Sequence, residues 1–172
     1  MKKKCKLITV IVSLLLLTGC GRKIKRDLFT DYLDKKGKND LVDRALTDRS
    51  YKNVNHNLSD NEINDELATY GDSIIKFSYC KLLWNEKVDN ITEAKKDLES
   101  DRVLVTKVAK HYDMLDYINK DSNDSNLPND YNYDSDRYKY IATAVEAMIA
   151  AIYLDTEELK PIRELLDSWR EF

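Results

Sequence analysis

The sequence predicts an all-α domain, a helical bundle around a buried central helix, and three observations carry that prediction. Gly (4) and Pro (2) are scarce among 172 residues, too few chain-breakers for a β-sandwich with many tight turns. Tyr140 to Asp155, YIATAVEAMIAAIYLD, is apolar on several faces, which suits a central helix covered by neighbours better than a surface helix with one stripe. Ile63, Leu67, Tyr70, Ile74 and Phe77 recur at spacings of four and three, a helical period that runs to about Leu83.

The remaining elements follow from local signals. Asp27 to Leu33 is a short helix with Leu28, Phe29, Tyr32 and Leu33 on one side, and KKGKN at 35–39 is a turn. Asp40 to Leu46 is a second short helix, followed by ALTDRSY at 45–51 and a polar loop over 52–58. Ser59 and Glu62 form a capping box, with Leu58 placed to staple onto Ile63, so the long helix is expected to open at Ser59. Gly71 lies inside that helix, where it costs ~1 kcal/mol relative to Ala; its presence implies the close approach of a neighbouring backbone or ligand.

Beyond a loop at 85–90, Ile91–Ser100 and Val103–Tyr112 read as two helices, joined or nearly continuous, with Ala94, Leu98, Val105, Val108 and Ala109 inward. The stretch 121–136 holds five Asp, no basic residue and Pro128, and reads as a solvated loop; it lacks the ligand spacing of a calcium loop. Tyr131, Tyr133, Tyr138 and Tyr140 read as partial cover for the central helix. Asp155 is placed to cap a last helix that becomes regular near Lys160, with Leu159, Ile162, Leu165, Leu166 and Trp169 inward.

The first 26 residues are a separate unit. MKKKCK is a basic opening, and residues 7–17 form an apolar run of signal-peptide length, too short for a membrane span. Leu17-Thr18-Gly19-Cys20 resembles the lipobox of bacterial lipoproteins, in which cleavage precedes a Cys that becomes lipidated. The chain thus divides into a signal peptide (1–19), a basic linker (20–26) that suits a tether near anionic headgroups, and a helical domain (27–172). The resemblance implies a lipoprotein anchored to a membrane through Cys20, outside the cytoplasm; an unused leader leaves the protein cytoplasmic.

Charge and cysteine usage exclude several classes. Removing residues 1–19 takes away four Lys and no acid, which leaves 24 basic against 31 acidic residues, a net charge of −7. That balance counts against tight polyanion binding by charge alone. Cleavage leaves Cys20 and Cys80, so neither a disulfide framework nor a zinc site is available. His56 and His111 have no ligand partner at a useful spacing, and Ser50 and Ser73 have no His nearby in sequence.

One residue of the central helix asks for an explanation. Glu146 sits among apolar neighbours, where a carboxylate is costly to bury unless it is paired, protonated or bound to a metal. Read alone, it is either a core residue that reaches the edge and meets a Lys or Arg, or a functional acid.

Three separated stretches then coincide with one family, in order. ALTDRSY at 45–51 resembles the short N-terminal motif of ribonuclease III domains. NDELATYGDSII at 64–75 is similar to their helix ending in Gly-Asp, and residues 140–155 to their helix carrying Glu-Ala-hydrophobic-Ile and ending in Tyr-Leu-Asp. The likeness covers about residues 27–170 and includes no counterpart of the double-stranded-RNA-binding domain that many members carry. It implies an all-helical fold that dimerises through the helix holding Gly71 and Asp72. It also implies Mg2+- or Mn2+-assisted hydrolysis of double-stranded RNA, with Asp72 and Glu146 on the metal and Asp65 as a further catalytic acid.

The sequence departs from the family pattern at Ala68, where a Glu is usual, at Thr143, where an Asp is usual, and at Asp48, where a His is usual. The mini-ribonuclease III branch is similar at the first two positions. On a helix, Asp65 and Asp72 share a face but stand ~10 Å apart, so they do not grip one ion together. Two functional readings remain: a double-strand-specific endoribonuclease with a reduced metal site, or a catalytically inactive, membrane-tethered lipoprotein using the same fold as a binding or dimerisation module.

Overall fold

A computed structural model describes residues 26–172; the expected signal peptide, Cys20 and most of the expected basic linker lie outside the described residues. The helices are α1 (Leu28–Leu33), α2 (Asp40–Ala45), α3 (Asp65–Asn85), α4 (Ile91–Glu99), α5 (Asp101–Val103), α6 (Lys139–Thr156) and α7 (Leu159–Ser168). A π-helical stretch, Leu104–Ala109, continues α5, and 3-10 turns lie at Arg49–Asn53, Asp60–Glu62, Met114–Asp116, Asp136–Tyr138 and Trp169–Glu171. The described residues contain no strand, only an isolated bridge between Thr47 and Asn119. None of their helices is long and apolar enough to cross a membrane.

The expected central helix is α6. Eleven of its residues are buried, from Tyr140 to Ile152, with Thr143 and Glu146 the partly exposed exceptions in that span. Its most extensive partner is α3, and α1, α2, α7 and the π-helical stretch complete the wrap. Helix α6 ends where Glu157 takes a left-handed conformation (φ 55°) and its N–H donates to the Tyr153 carbonyl, the geometry of a helix C-cap.

Helix α3 shows why a periodic stripe is not a core map. Its buried face is Leu67, Ala68, Gly71, Ile74, Ile75, Ser78, Tyr79 and Leu83. Tyr70, Phe77 and Trp84 are 42%, 54% and 69% exposed. Two apolar stripes therefore run along one helix, one inward and one outward, and the four-and-three spacing mixed members of both.

The start of α3 also differs from expectation. The Ser59–Glu62 capping box exists, but it closes the 3-10 turn Asp60–Glu62. Ile63 is extended (φ −103°, ψ 165°) and interrupts the helical run. Its carbonyl accepts from Arg44 Nε at 3.1 Å, while the Asn64 N–H donates to the Thr47 carbonyl at 3.0 Å. These bonds to α2 and the loop after it satisfy the backbone better than one more helical turn, so α3 begins at Asp65.

Asp155 does not cap α7, which begins at Leu159. Its carboxylate instead accepts from the Tyr32 hydroxyl and from Lys35, tying α1 to the end of α6. A second latch runs from Asp27 through the Tyr112 hydroxyl, which also accepts the Trp169 indole N–H at 3.0 Å. Tyr138 is buried and Tyr131 and Tyr133 pack partly buried against the core, as cover for α6 requires, whereas Tyr140 lies in α6 itself and donates to the Pro128 carbonyl. Ser100 separates α4 from α5: it is extended (ψ 146°) and its hydroxyl caps the second helix by accepting the Val103 N–H. Ala94 and Leu98 are only partly buried, whereas Val105, Val108 and Ala109 are core.

Candidate active site

The site lies where α3 crosses α6. Gly71 is the contact point: a Cβ built there would lie 1.8 Å from the Glu146 carbonyl oxygen and 3.2 Å from the Ala150 nitrogen. Only glycine permits this approach, which explains a residue otherwise unfavourable inside a helix. The crossing brings Asp72, the next residue on α3, to the same cleft as the Glu146 side chain.

Helical periodicity selects the lining. From α6 come Lys139, Thr143 and Glu146, spaced four and three and therefore on one face. From α3 come Asp65, Ala68, Thr69, Asp72 and Lys76 along its matching face. Arg49 from the loop after α2 and Asp101 from the head of α5 close the ends of a cleft of about 400 Å3. A wider cleft of about 720 Å3 shares Arg49, Asp65, Lys139 and Thr143 and continues past Asp48, Arg137 and Tyr140.

The acids differ in how they are compensated. Asp65 is paired with Arg49 at 2.8 Å, and Asp72 with Lys76, one turn along the same helix, at 2.7 Å. Among the described residues the Glu146 carboxylate forms no hydrogen bond or ion pair. Burial is the main reason that its pKa is pushed up to about 7, and the negative charges of Asp72 and then Asp101 add to the effect. Lys76 and Lys139 act on it only through space and offset part of the rise.

The structure therefore brings together Asp72, Glu146 and Asp65, all three acids named from the sequence. Asp101, Lys76 and Lys139 were not named. Asp101 sits at a helix junction and the two lysines look like solvated helix positions, so only the fold reveals that they face this cleft. Asp48 is buried and structural: its carboxylate accepts the Ser50 N–H and caps the 3-10 turn that presents Arg49. Ala68 and Thr143, where the resemblance expects further ligands, do line the cleft, and the Thr143 hydroxyl is turned to its own helix, donating to the Lys139 carbonyl.

The donor set fits a hard divalent cation in a sparse form. Among the described residues no three His, Cys, Asp or Glu side chains are close enough to hold an ion together. Of the four carboxylates that line the cleft, Asp72 and Glu146 stand on the two crossing helices, and Glu146, without a hydrogen bond or ion pair, is repelled by Asp72. Mg2+ commonly takes one or two carboxylates and completes its shell with water and substrate phosphate. A cation between Asp72 and Glu146 would relieve the repulsion that adds to the effect of burial at Glu146.

Comparison with known proteins identifies the family. The family model "Ribonuclease III domain" matches residues 65–157, a range that holds Asp65, Asp72, Asp101 and Glu146. Two proteins named "Ribonuclease 3", from strains of Clostridium kluyveri, are each 25% identical over 152 residues, 87% of this chain and 57% of theirs. The chain thus spans little more than half the length of these relatives. No solved structure matches it. The family match covers more than half of the 172 residues and centres on the two helices whose crossing builds the cleft, and on that basis the chain belongs to the ribonuclease III domain family.

Proposed function

We propose that the protein is a ribonuclease III-type endoribonuclease that hydrolyses phosphodiester bonds of double-stranded RNA with Mg2+ or Mn2+ held by Asp72 and Glu146. The observation that carries this reading is the unpartnered Glu146 carboxylate facing Asp72 across the Gly71 crossing. Bound there, a divalent cation supplies Lewis-acid polarisation of the phosphodiester and a water of lowered pKa. Asp72 and Glu146 fix its position from two rigid helices. Asp65, two turns away and held by Arg49, acts at the RNA side of the cleft. Arg49, Arg137 and Lys139 offer cationic groups to phosphates at the two clefts, set among acids that outnumber them, so a bound divalent cation would supply much of the attraction for RNA.

The family dimerises, and the outward stripe of α3 supports a homodimer through the helix that carries Gly71 and Asp72. Tyr70, Phe77 and Trp84 lie seven residues apart, which places them along one side of a 21-residue helix with their rings toward solvent. Cys20 carries the lipid in this reading and the basic linker holds the domain near the membrane. Replacing Cys20 with Ser should then release the protein from membranes and leave its leader unprocessed; unchanged fractionation and mass would overturn the anchor.

The second reading is a catalytically inactive, membrane-tethered module. It is favoured by Ala68 and Thr143 standing in the cleft where metal ligands are expected. One assay separates the two: the full chain in detergent is incubated with a long RNA duplex and Mg2+ or Mn2+, beside Asp72→Asn and Glu146→Gln. Cleavage by the native chain alone supports the enzyme. Cleavage that persists in both variants rules out this site, and no cleavage by any of them leaves the module.

A further inference from the structure

We propose that Lys76 is an internal competitor for the divalent cation, its ammonium holding Asp72 until the ion displaces it. The inference deepens the reading of Asp72 and Glu146 as metal ligands and rests on it. It concerns how that site is regulated rather than whether it cleaves RNA.

The argument is geometric first. Lys76 Nζ lies 2.7 Å from Asp72 Oδ2, and both side chains line the cleft into which Glu146 opens. The positive charge of Lys76 also acts on Glu146 and on Glu99, so it sits within the field of the acids although it is half exposed. An ammonium and a hard dication seek the same oxygen, and each raises the cost of the other at this range. Arg49 pairs with Asp65 and Lys76 with Asp72, whereas Glu146 has no ion pair and feels Lys76 and Lys139 only through space.

The pair is also built to open. It is an i,i+4 pair with Lys76 about half exposed (48%) and Asp72 about one-third exposed (32%), a class of contact that contributes little to stability. A lysine ammonium is a point charge on a flexible four-carbon stem, able to swing to water without disturbing the helix. A bidentate arginine clamp would be harder to displace. Lys76 thus weakens cation binding without blocking it, and the site fills only where divalent cation is abundant or where RNA phosphates add their own charge to the binding. Where the cation is scarce, the ammonium keeps Asp72 occupied and the helix crossing electrostatically calm.

The test reads Mn2+ binding directly, by the electron paramagnetic resonance signal of free Mn2+, on the full chain in detergent without RNA. Lys76→Gln should bind Mn2+ roughly threefold to tenfold more tightly than the native chain, as the loss of one nearby unit charge implies. Lys76→Arg, which keeps the charge, should stay at or below native affinity, and Asp72→Asn should lose the site. Native affinity in Lys76→Gln, weaker affinity in it, or binding that survives Asp72→Asn would each overturn the proposal, as would the absence of Mn2+ binding in every form. RNA cleavage is scored separately. An inactive protein whose Mn2+ affinity still rises in Lys76→Gln sinks the nuclease reading and keeps this one; an active protein with unchanged affinity does the reverse.

Discussion

Gly71 and the Glu146 carbonyl touch so closely that a single methyl group at position 71 would fall 1.8 Å from that oxygen. The contact sets the depth at which α3 and α6 cross, and the side chains of Asp72 and Glu146 inherit their shared cleft from it. Backbone on both sides leaves no flexible atom to yield.

Substituting Ala for Gly71 should therefore destabilise the fold by about 3 kcal/mol, at the upper end of overpacking costs, even though Ala gains ~1 kcal/mol in helix propensity. Urea unfolding followed by circular dichroism measures the difference. A variant as stable as the native chain would show that α3 and α6 do not meet here. Mn2+ affinity should fall with stability, because the same shift separates Asp72 from Glu146.

Glu146 gives stability a particular dependence on pH. Its pKa is pushed up from the ordinary 4.5 to about 7, so between those values the folded state holds a proton that the unfolded state has released. Stability contributed at this residue is intact below about pH 4.5 and declines as pH rises through about 7. Glu146→Gln should match the native chain near pH 4.5 and exceed it by roughly 1–2 kcal/mol near pH 8, a figure discounted for solvent at the cleft. Saturating Mg2+ should narrow that gap, since the cation favours the ionised carboxylate. A gap that is constant with pH would place the proton elsewhere.

Asp65 shares the cleft but, in the proposed reading, lies outside the metal shell. It is two helical turns from Asp72 and already paired with Arg49 at 2.8 Å. Cleavage of duplex RNA by Asp65→Asn should fall about tenfold, against a hundredfold or more for Asp72→Asn, with Mn2+ affinity changed only in the latter. Equal losses of both quantities would bring Asp65 into the metal shell.

The outward stripe of α3 makes a claim about assembly. Phe77, 54% exposed, stands midway between Tyr70 and Trp84. If the stripe is the proposed homodimer interface, the native chain should sediment as a dimer in detergent and Phe77→Glu as a monomer, since a charge at the middle of an apolar interface is costly to desolvate. Helical content should not change, as the side chain supports no core contact. A native chain that sediments as a monomer would dispose of the interface.

Much of the architecture was legible in the residues. The apolar run from Tyr140 marked α6 as central because a helix without a polar face must be surrounded. Gly71 marked a close approach because glycine inside a helix needs a reason. The motif order located Asp72 and Glu146. The capping box at Ser59 was legible too, yet the element that it closes was not: the backbone bonds from Ile63 and Asn64 to Arg44 and Thr47 come from a distant segment, and they outweigh a local signal.

The sequence by itself determined that the chain is helical and which helix is buried, because these follow from periodicity and from residue types along a single segment; it pointed to Asp72 and Glu146 only through the resemblance to ribonuclease III domains. Tertiary structure alone decided that Tyr70, Phe77 and Trp84 face outward, that Asp101 and Lys139 join the site, and that Lys76 sits on Asp72 while Glu146 has no partner. The physical reason is that charge compensation and burial belong to the space between elements. A side chain's partner is set by which face a neighbouring helix presents, and no period within one helix encodes that.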